Sequence, residues 1–414
     1  MSDWIQTTLG ELVDIRKGVK VEVFDEQRAD AAPYLGAGSL ESGKSRQWAS
    51  ARGAVLAEGA DVLMLWDGER SGLTGGGLEG VVASTVSRLR SRGIVDPAYL
   101  RHTLQAKFPW IQARRTGTGV PHVPKDLGNW LMIDHPESIA EQRRIAELLD
   151  ALDDQIRLTE SAASKLRATF VGLLCHLLSR GMQSDVASLG NAVLEFGGTS
   201  ISLPKYWTVE PIGQLLGPVD PAMRSGPFGS ALLKHELVES GVPLLGIDNV
   251  HVDRFVSDFQ RFVTPMKAAE LSRYRVRPAD VMITIMGTVG RSCLVPEDIG
   301  FALSSKHVWA LTFDNTRYRP YLASLQLNHA PWARAHLRRD EQGGIMSAIR
   351  SDTLKTLVLP TPPIDEQLEI EAILKTLESK IANQEQSLTK LRTLKIGLAD
   401  DLLTGRVRVP EGVA

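Results

Sequence analysis

Residues 139–178 and 364–403 are copies of one another at a constant offset of 225, and that duplication limits what the chain can fold into. Glu141, Gln142, Ile145, Leu149, Leu152, Ile156, Lys165, Leu166 and Leu177 meet the same residue types at Glu366, Gln367, Ile370, Leu374, Leu377, Ile381, Lys390, Leu391 and Leu402. Within each copy the apolar positions alternate four- and three-residue steps. They run through Ile145, Leu149, Leu152, Ile156, Ala163, Leu166, Phe170, Leu173 and Leu177 in the first, and Ile370, Leu374, Leu377, Ile381, Leu388, Leu391, Leu398 and Leu402 in the second. A heptad seam of this length predicts a coiled coil rather than an ordinary surface helix. Thr159 and Gln384 occupy matching seam positions, where a polar side chain lowers stability but fixes register. Each helix would be a rod of about 60 Å. The two are expected to pair with each other; the alternative is that each covers its own domain.

The duplication extends beyond the helices. Trp4 to Leu12 is echoed by Trp207 to Leu215, Pro33-Tyr34-Leu35-Gly36 by Pro243-Leu244-Leu245-Gly246, and Asp61-Val62-Leu63-Met64 with Gly68 by Asp280-Val281-Met282-Ile283 with Gly287. One unit, a globular domain followed by a long helix, is used twice. Short β-branched runs broken by glycine, with helical patches at 97–107 and 318–328, make each globular part an irregular α+β domain. The expected division is a first domain over 1–136, a spacer helix over 137–182 and a Ser/Gly-rich linker over 183–204. A second domain over 205–362, a second spacer helix over 363–405 and a tail over 406–414 complete it.

Composition narrows the function. Two cysteines, Cys175 and Cys293, allow no disulfide framework, and neither a signal peptide nor a membrane-length apolar run is present, so a cytoplasmic protein is expected. Residues 1–136 hold 16 basic and 16 acidic residues, and 185–362 hold 18 and 17. A nucleic-acid surface would therefore have to arise by local clustering of cations.

Familiar catalytic signatures are missing. Gly75-Gly76-Gly77-Leu78-Glu79-Gly80 has dinucleotide-binding spacing, but a strand-like run follows where a helix is required, so it reads as a loop. There is no phosphate-binding loop, no Asn-Pro-Pro-aromatic motif and no metal-ligand spacing on any one element, and no metal is expected. Basic, glycine-rich loops stand out instead, since freed backbone amides beside Arg, Ser and Thr suit phosphates while Arg and Gln can read base edges. Taken singly, each is also an ordinary solvated turn. The candidates in the first domain are Arg16, Lys17, Lys20, Trp66, Arg70, Arg114, Arg115, Thr116, Thr118, His122 and Lys125. Those in the second are Arg224, Ser225, Phe228, Ser230, Lys234, Thr288, Arg291, Ser305, Lys306, His307, Arg338, Arg339, Gln342 and Ser347.

Ile139-Ala140-Glu141-Gln142-Arg143-Arg144-Ile145 and Ile364-Asp365-Glu366-Gln367-Leu368-Glu369-Ile370, with Leu402-Leu403-Thr404-Gly405-Arg406-Val407 and the turn Gly226-Pro227-Phe228-Gly229-Ser230, carry a resemblance. Over its whole length the chain resembles the specificity subunit of type I restriction-modification enzymes. The resemblance implies two target-recognition domains, each reading half of a bipartite double-stranded DNA site, separated by an antiparallel coiled-coil pair of conserved helices with a pseudo-two-fold axis near Glu160 and Glu385. It also implies two modification subunits docked on the helices, at Glu141, Gln142, Ile145, Glu366, Gln367 and Ile370. This chain would bind no cofactor. S-adenosylmethionine would belong to the modification subunits, and ATP and Mg2+ to partner subunits that include a restriction motor. The first domain departs from the pattern, with Ile15-Arg16-Lys17-Gly18-Val19-Lys20 in place of the proline-bearing turn. Divergent domains imply an asymmetric target. The competing readings are a repeat scaffold that binds only proteins, or a methyltransferase or nuclease with an unfamiliar site.

Overall fold

The computed structural model describes residues 3–117, 119–182, 189–338 and 348–409. Two compact units emerge, Met1–Ala162 with Gln384–Ala414, and Ala163–Asn383. The long helices are Ile139–Arg180 and Ile364–Leu403, and each unit takes a part of both.

In the first unit, Trp4–Thr8 pairs with Met132–Pro136, closing the globular part just before the long helix. A four-stranded antiparallel sheet follows the order Val13–Lys17, Val86–Ser91, Val62–Leu65, Thr74–Gly76. A five-stranded sheet follows the order Val23–Phe24, Trp48–Ser50, Ala31–Leu35, Gly80–Val82, Leu56–Ala57, with one parallel pair, Ala31–Leu35 on Gly80–Val82. Val62–Leu65 is buried at all four positions, which explains its unbroken apolar run. Helix Pro97–Ala106 starts where Asp96 accepts the N–H groups of Ala98 and Tyr99 (3.0 and 3.2 Å), with proline in the first turn. Its buried Tyr99, Leu100 and Leu104 join Ile145 and Leu149 of the first long helix and Leu402 and Leu403 of the second in one core.

The second unit repeats this strand for strand. Its four-stranded sheet runs Met223–Ser225, Val308–Leu311, Val281–Thr284, Ser292–Leu294, and its five-stranded sheet Leu237–Val238, Phe262–Val263, Val242–Leu245, Ala302–Ser304, Arg275–Val276. The parallel pair recurs at the same place. Phe170, Leu174 and Leu177 of the first long helix and Ile370 and Leu374 of the second complete its core.

The seam residues on both helices are buried or half-buried, with Leu152, Ile156, Thr159 and Gln384 half-buried. In the first unit, Asp153 pairs with Lys395 (2.5 Å) and Glu160 with Arg392 (2.6 Å), so partners on one helix advance while those on the other recede, the antiparallel sense expected.

Three expectations need correction. Within the stretch read as a linker, Leu189–Phe196 and Thr199–Pro204 form a hairpin, whose Leu194 and Leu203 are buried and whose Phe196 meets Trp332 edge-on at 6.2 Å. Thr74–Gly76, part of the presumed glycine loop, is an edge strand paired with Val62–Met64. The tail is anchored at its start, with Val409 buried and Arg408 paired to Glu141 (3.1 Å).

Candidate nucleic-acid interface

In both units several of the candidate residues collect at one end of the four-stranded sheet, where its first strand finishes and its second begins. Gly18 follows Val13–Lys17 and lies so close to Val82 and Ala83 that a Cβ would collide with backbone; its N–H donates to Val86 (2.9 Å). Gly226 follows Met223–Ser225 and sits equally tight against Ser304 and Ser305, donating to Ser305 (3.0 Å). The first domain thus keeps the essential glycine of the turn without its proline.

Around Gly18, Lys17 pairs with Asp67 (2.6 Å). The loop after Arg115 is tied on by the N–H of Val123 to Trp66 and of Gly68 to Pro121 (both 2.8 Å). Lys17, Trp66, Asp67, His122 and Lys125 consequently line one cleft of about 420 Å³. Lys20 is exposed beyond the turn, and Arg16 is paired with Asp14 (3.0 Å). Thr116 serves mainly as backbone, bridging to His122. Three candidates stand apart from this cleft. Arg70 pairs with Glu41, Arg114 stacks on Trp110 at 3.9 Å, and Arg115 donates to the carbonyls of Gln112 and Glu69 (2.9 and 2.5 Å), which fixes the loop. Trp66 is 7% exposed and acts as the cleft's wall.

In the second unit Phe228, Ser230 and Lys234 are exposed on the turn after Gly226, and Lys306 is exposed beside His307. Burial, helped by Lys306 and Arg261, holds the His307 imidazole below its usual range, so it is neutral at physiological pH. Arg291, Arg338 and the unanticipated Arg334 line a cleft of about 340 Å³ with Gly290 and Asn328. No acidic side chain lies within ion-pair distance of these three among the described residues. Three guanidinium groups without an acidic partner among the described residues make a positive pocket suited to a phosphate.

Arg224 is a correction. It is 3% exposed and paired with the buried Asp280, which also accepts Thr312 (2.5 Å) and the N–H of Arg277 (2.6 Å). Burial pulls the guanidinium down to about 10 and pushes the carboxyl up, yet at neutral pH the arginine stays charged. It belongs to the scaffold. Ser225 and Ser305 are buried too, and the Thr288 hydroxyl is enclosed. Thr118, Arg339, Gln342 and Ser347 lie outside the described residues.

The docking residues are likewise turned inward. Gln142 accepts the N–H of Asp96 (2.7 Å) and donates to Pro136 (2.8 Å) and Ile94 (3.3 Å); Gln367 accepts the N–H of Arg319 (2.8 Å) and donates to Pro362 (2.8 Å) and Arg317 (3.0 Å). Both are 0% exposed, as is Ile370, with Ile145 at 1%. Glu141 holds Arg408, while Glu366 accepts Trp207 (2.9 Å) and the N–H of Met182 (3.0 Å). Gln142, Ile145, Gln367 and Ile370 thus latch each helix start to its own domain and present no side chain to a partner. Tertiary structure also gathers one set of possible metal ligands that spacing could not show, His102, Asp150 and Asp153. Arg101 and Lys395 already neutralise those two carboxylates.

A family model described as the type I restriction modification DNA specificity domain matches residues 263–393. The type I restriction enzyme MjaVIII specificity subunit of Methanocaldococcus jannaschii is 23% identical over 415 residues, spanning 98% of this chain and 93% of that protein. Over nearly its whole length the chain is similar to a type I specificity subunit, and it matches the family's DNA specificity domain over 263–393. The EcoBI specificity subunit of Escherichia coli is 20% identical over 276 residues, 66% of this chain and 56% of that one. Among solved structures, the S subunit of a type I restriction-modification system from M. genitalium shares the fold over 97% of this chain and 96% of its own, at a TM-score of 0.59 and 16% identity. A structure concerned with assembly and conformational transition of the type I system shares it at 0.53 and 17%, over 98% of both chains. The duplicated framework is therefore a fold this chain shares with solved type I subunits, and the loops around Gly18 and Gly226 carry different side chains in the two units.

Proposed function

We propose that each globular unit of this specificity subunit reads one half of an asymmetric, bipartite double-stranded DNA target. One observation carries this. The two units share their strand order pair for pair, yet equivalent loops present different side chains, Lys17-Gly18-Val19-Lys20 against Ser225-Gly226-Pro227-Phe228 and Ala83-Ser84-Thr85 against Ser305-Lys306-His307. A common scaffold with divergent polar loops is what reading two different sequences requires.

The chain acts without chemistry of its own. Two modification subunits would dock along the helices and supply S-adenosylmethionine and methyl transfer, and restriction subunits would supply ATP- and Mg2+-dependent motor and cleavage steps. With the Gln142 and Gln367 latches buried, docking falls to outward-facing apolar side chains, Leu158, Leu394 and Ile396 in the first unit and Val171 and Leu368 in the second, all at least 45% exposed. No helix among the described residues is long and apolar enough to cross a membrane.

The test is to incubate the purified chain with DNA and labelled S-adenosylmethionine, with and without modification subunits. Methylation of a two-part sequence only in the complex supports the proposal. Methyl transfer by the repurified chain alone makes it an enzyme, and absence of DNA binding in any combination leaves a protein scaffold.

A further inference from the structure

We infer that Gln47 and Arg261 are equivalent base-reading positions, one in each unit, and that the difference between them helps make the two half-sites different. The inference rests on the DNA reading above and assigns it to residues that no loop motif marked.

The equivalence is set by backbone hydrogen bonds. The parallel strand pairs place Tyr34 beside Val81 and Leu35 beside Val82 in the first unit, and Leu244 beside Leu303 and Leu245 beside Ser304 in the second. From that common register the Tyr34 N–H donates to the carbonyl of Gln47 (2.8 Å) and the Leu244 N–H to the carbonyl of Arg261 (2.9 Å). The same register puts Thr85 and His307 at one position. The Thr85 carbonyl accepts Trp66 (2.7 Å), and the His307 carbonyl accepts Ile285 (3.0 Å).

Gln47 borders a cleft of about 640 Å³ with Tyr34, Gly38, Lys44, Arg46 and Thr85. Thr85 also accepts the N–H of Asp67 (3.1 Å), so this cleft adjoins the one holding Lys17 and Lys125. Lys44 and Arg46 are exposed, with no acidic partner among the described residues. In the second unit the Ser305 N–H donates to the carbonyl of Leu245 (2.8 Å), next to the Leu244 that pairs with Arg261, which brings His307 near enough for the Arg261 charge to lower its basicity.

An aspartate orients the side chain in both units, from different places in the sequence. Gln47 Nε2 donates to Asp25 (3.2 Å), which leaves its amide oxygen and a second N–H, the donor and acceptor that match an adenine edge. Arg261 Nη2 pairs with Asp248, and its Nη1 remains for the acceptor edge of guanine; its Nε is buried without a partner. Lys44, Arg46 and Lys306 beside them suit phosphates.

Selection of bound sequences from a randomised duplex library by the purified full-length chain tests this. Gln47→Arg is expected to move preference from adenine toward guanine at one position of one half-site, by about 5- to 150-fold. Gln47→Ala should flatten that position, and Arg261→Gln should act on the other half alone. Lys44→Ala with Arg46→Ala should weaken binding to all sequences and reduce its salt dependence while leaving the motif intact. Thermal melting identifies variants that fail to fold, and the three substitutions at the two positions check one another. An unchanged motif in folded variants, or equal changes in both halves, overturns the inference. An unmodified chain that enriches no sequence either alone or with modification subunits overturns the DNA reading itself, and this inference with it.

Discussion

Gln367 shows how much can depend on one uncharged side chain. Its amide closes three backbone groups at the start of the second long helix, so Gln367→Ala should strand buried donors and acceptors and cost about 2–4 kcal/mol, read as a lower denaturant midpoint. Arg224→Met is harsher. It leaves Asp280, which is fully buried, without its cation, at an expected cost of about 3–5 kcal/mol. His102 gives a pH signature. Burial, then the neighbouring Arg101, hold it below its ordinary value, while Asp150 opposes them at 2.8 Å and Lys395 adds a weaker positive charge. An imidazole depressed in the folded state binds its proton more readily once unfolded, so this contribution is intact above about pH 6.5 and is lost as pH falls. Denaturant midpoints at pH 7.5 and 5.5 should therefore differ less in His102→Gln than in the unmodified protein. Side-chain roles of this kind were the least legible part of the sequence. Arg224 stood in a glycine- and serine-rich turn that resembled a DNA contact, and only strand pairing reveals that it faces Asp280. Gln142 and Gln367 were visible as a motif, but whether a repeated glutamine faces a partner or its own domain depends on groups far away in the chain.

The long helices were legible because their signal is local. Seam spacing is written within each forty-residue stretch, and the polar interruptions at Thr159 and Gln384 are half-buried as their position requires. The hairpin Leu189–Phe196 with Thr199–Pro204 was not legible, because its apolar residues acquire meaning only against Trp332, more than a hundred residues onward. Lys395 is a quieter case. It occupies the position that Phe170 fills in the first copy, and the structure spends it on Asp153 rather than on a core. If the helices set the spacing between half-sites, one heptad inserted after Ser161 and another after Gln386 lengthens each by about 10.5 Å. That corresponds to about three base pairs at 34–36 Å per 10–10.5. Methylation mapping of the assembled complex should then show the same half-sites with a longer gap. A two-residue insertion should instead rotate Ala163, Leu166 and Phe170 off the seam and lower thermal stability.

On the proposed reading each unit carries its own DNA surface, so single changes should be heard in one half of the target only. Lys125→Ala and Lys306→Ala should each weaken binding and lower the salt slope by about one phosphate contact, without altering base preference. Swapping the half-site opposite each variant in footprinting assays tells which surface was touched. Duplication was legible from repeated segments, whereas the clefts were not, since Tyr34, Lys44 and Gln47 become neighbours of Thr85 only through a parallel strand pairing. The division of the helices has a consequence for synthesis. The second unit is built from one uninterrupted stretch, Ala163–Asn383, while the first needs Leu402, Leu403 and Val409 to cover Ile145 and Leu149. The domain that leaves the ribosome first must then wait for about 240 further residues, roughly 12–50 s at common elongation rates, with an apolar stripe uncovered. The part translated earliest is the part whose core is completed last, so its exposure to proteases and misassembly should lengthen as translation slows.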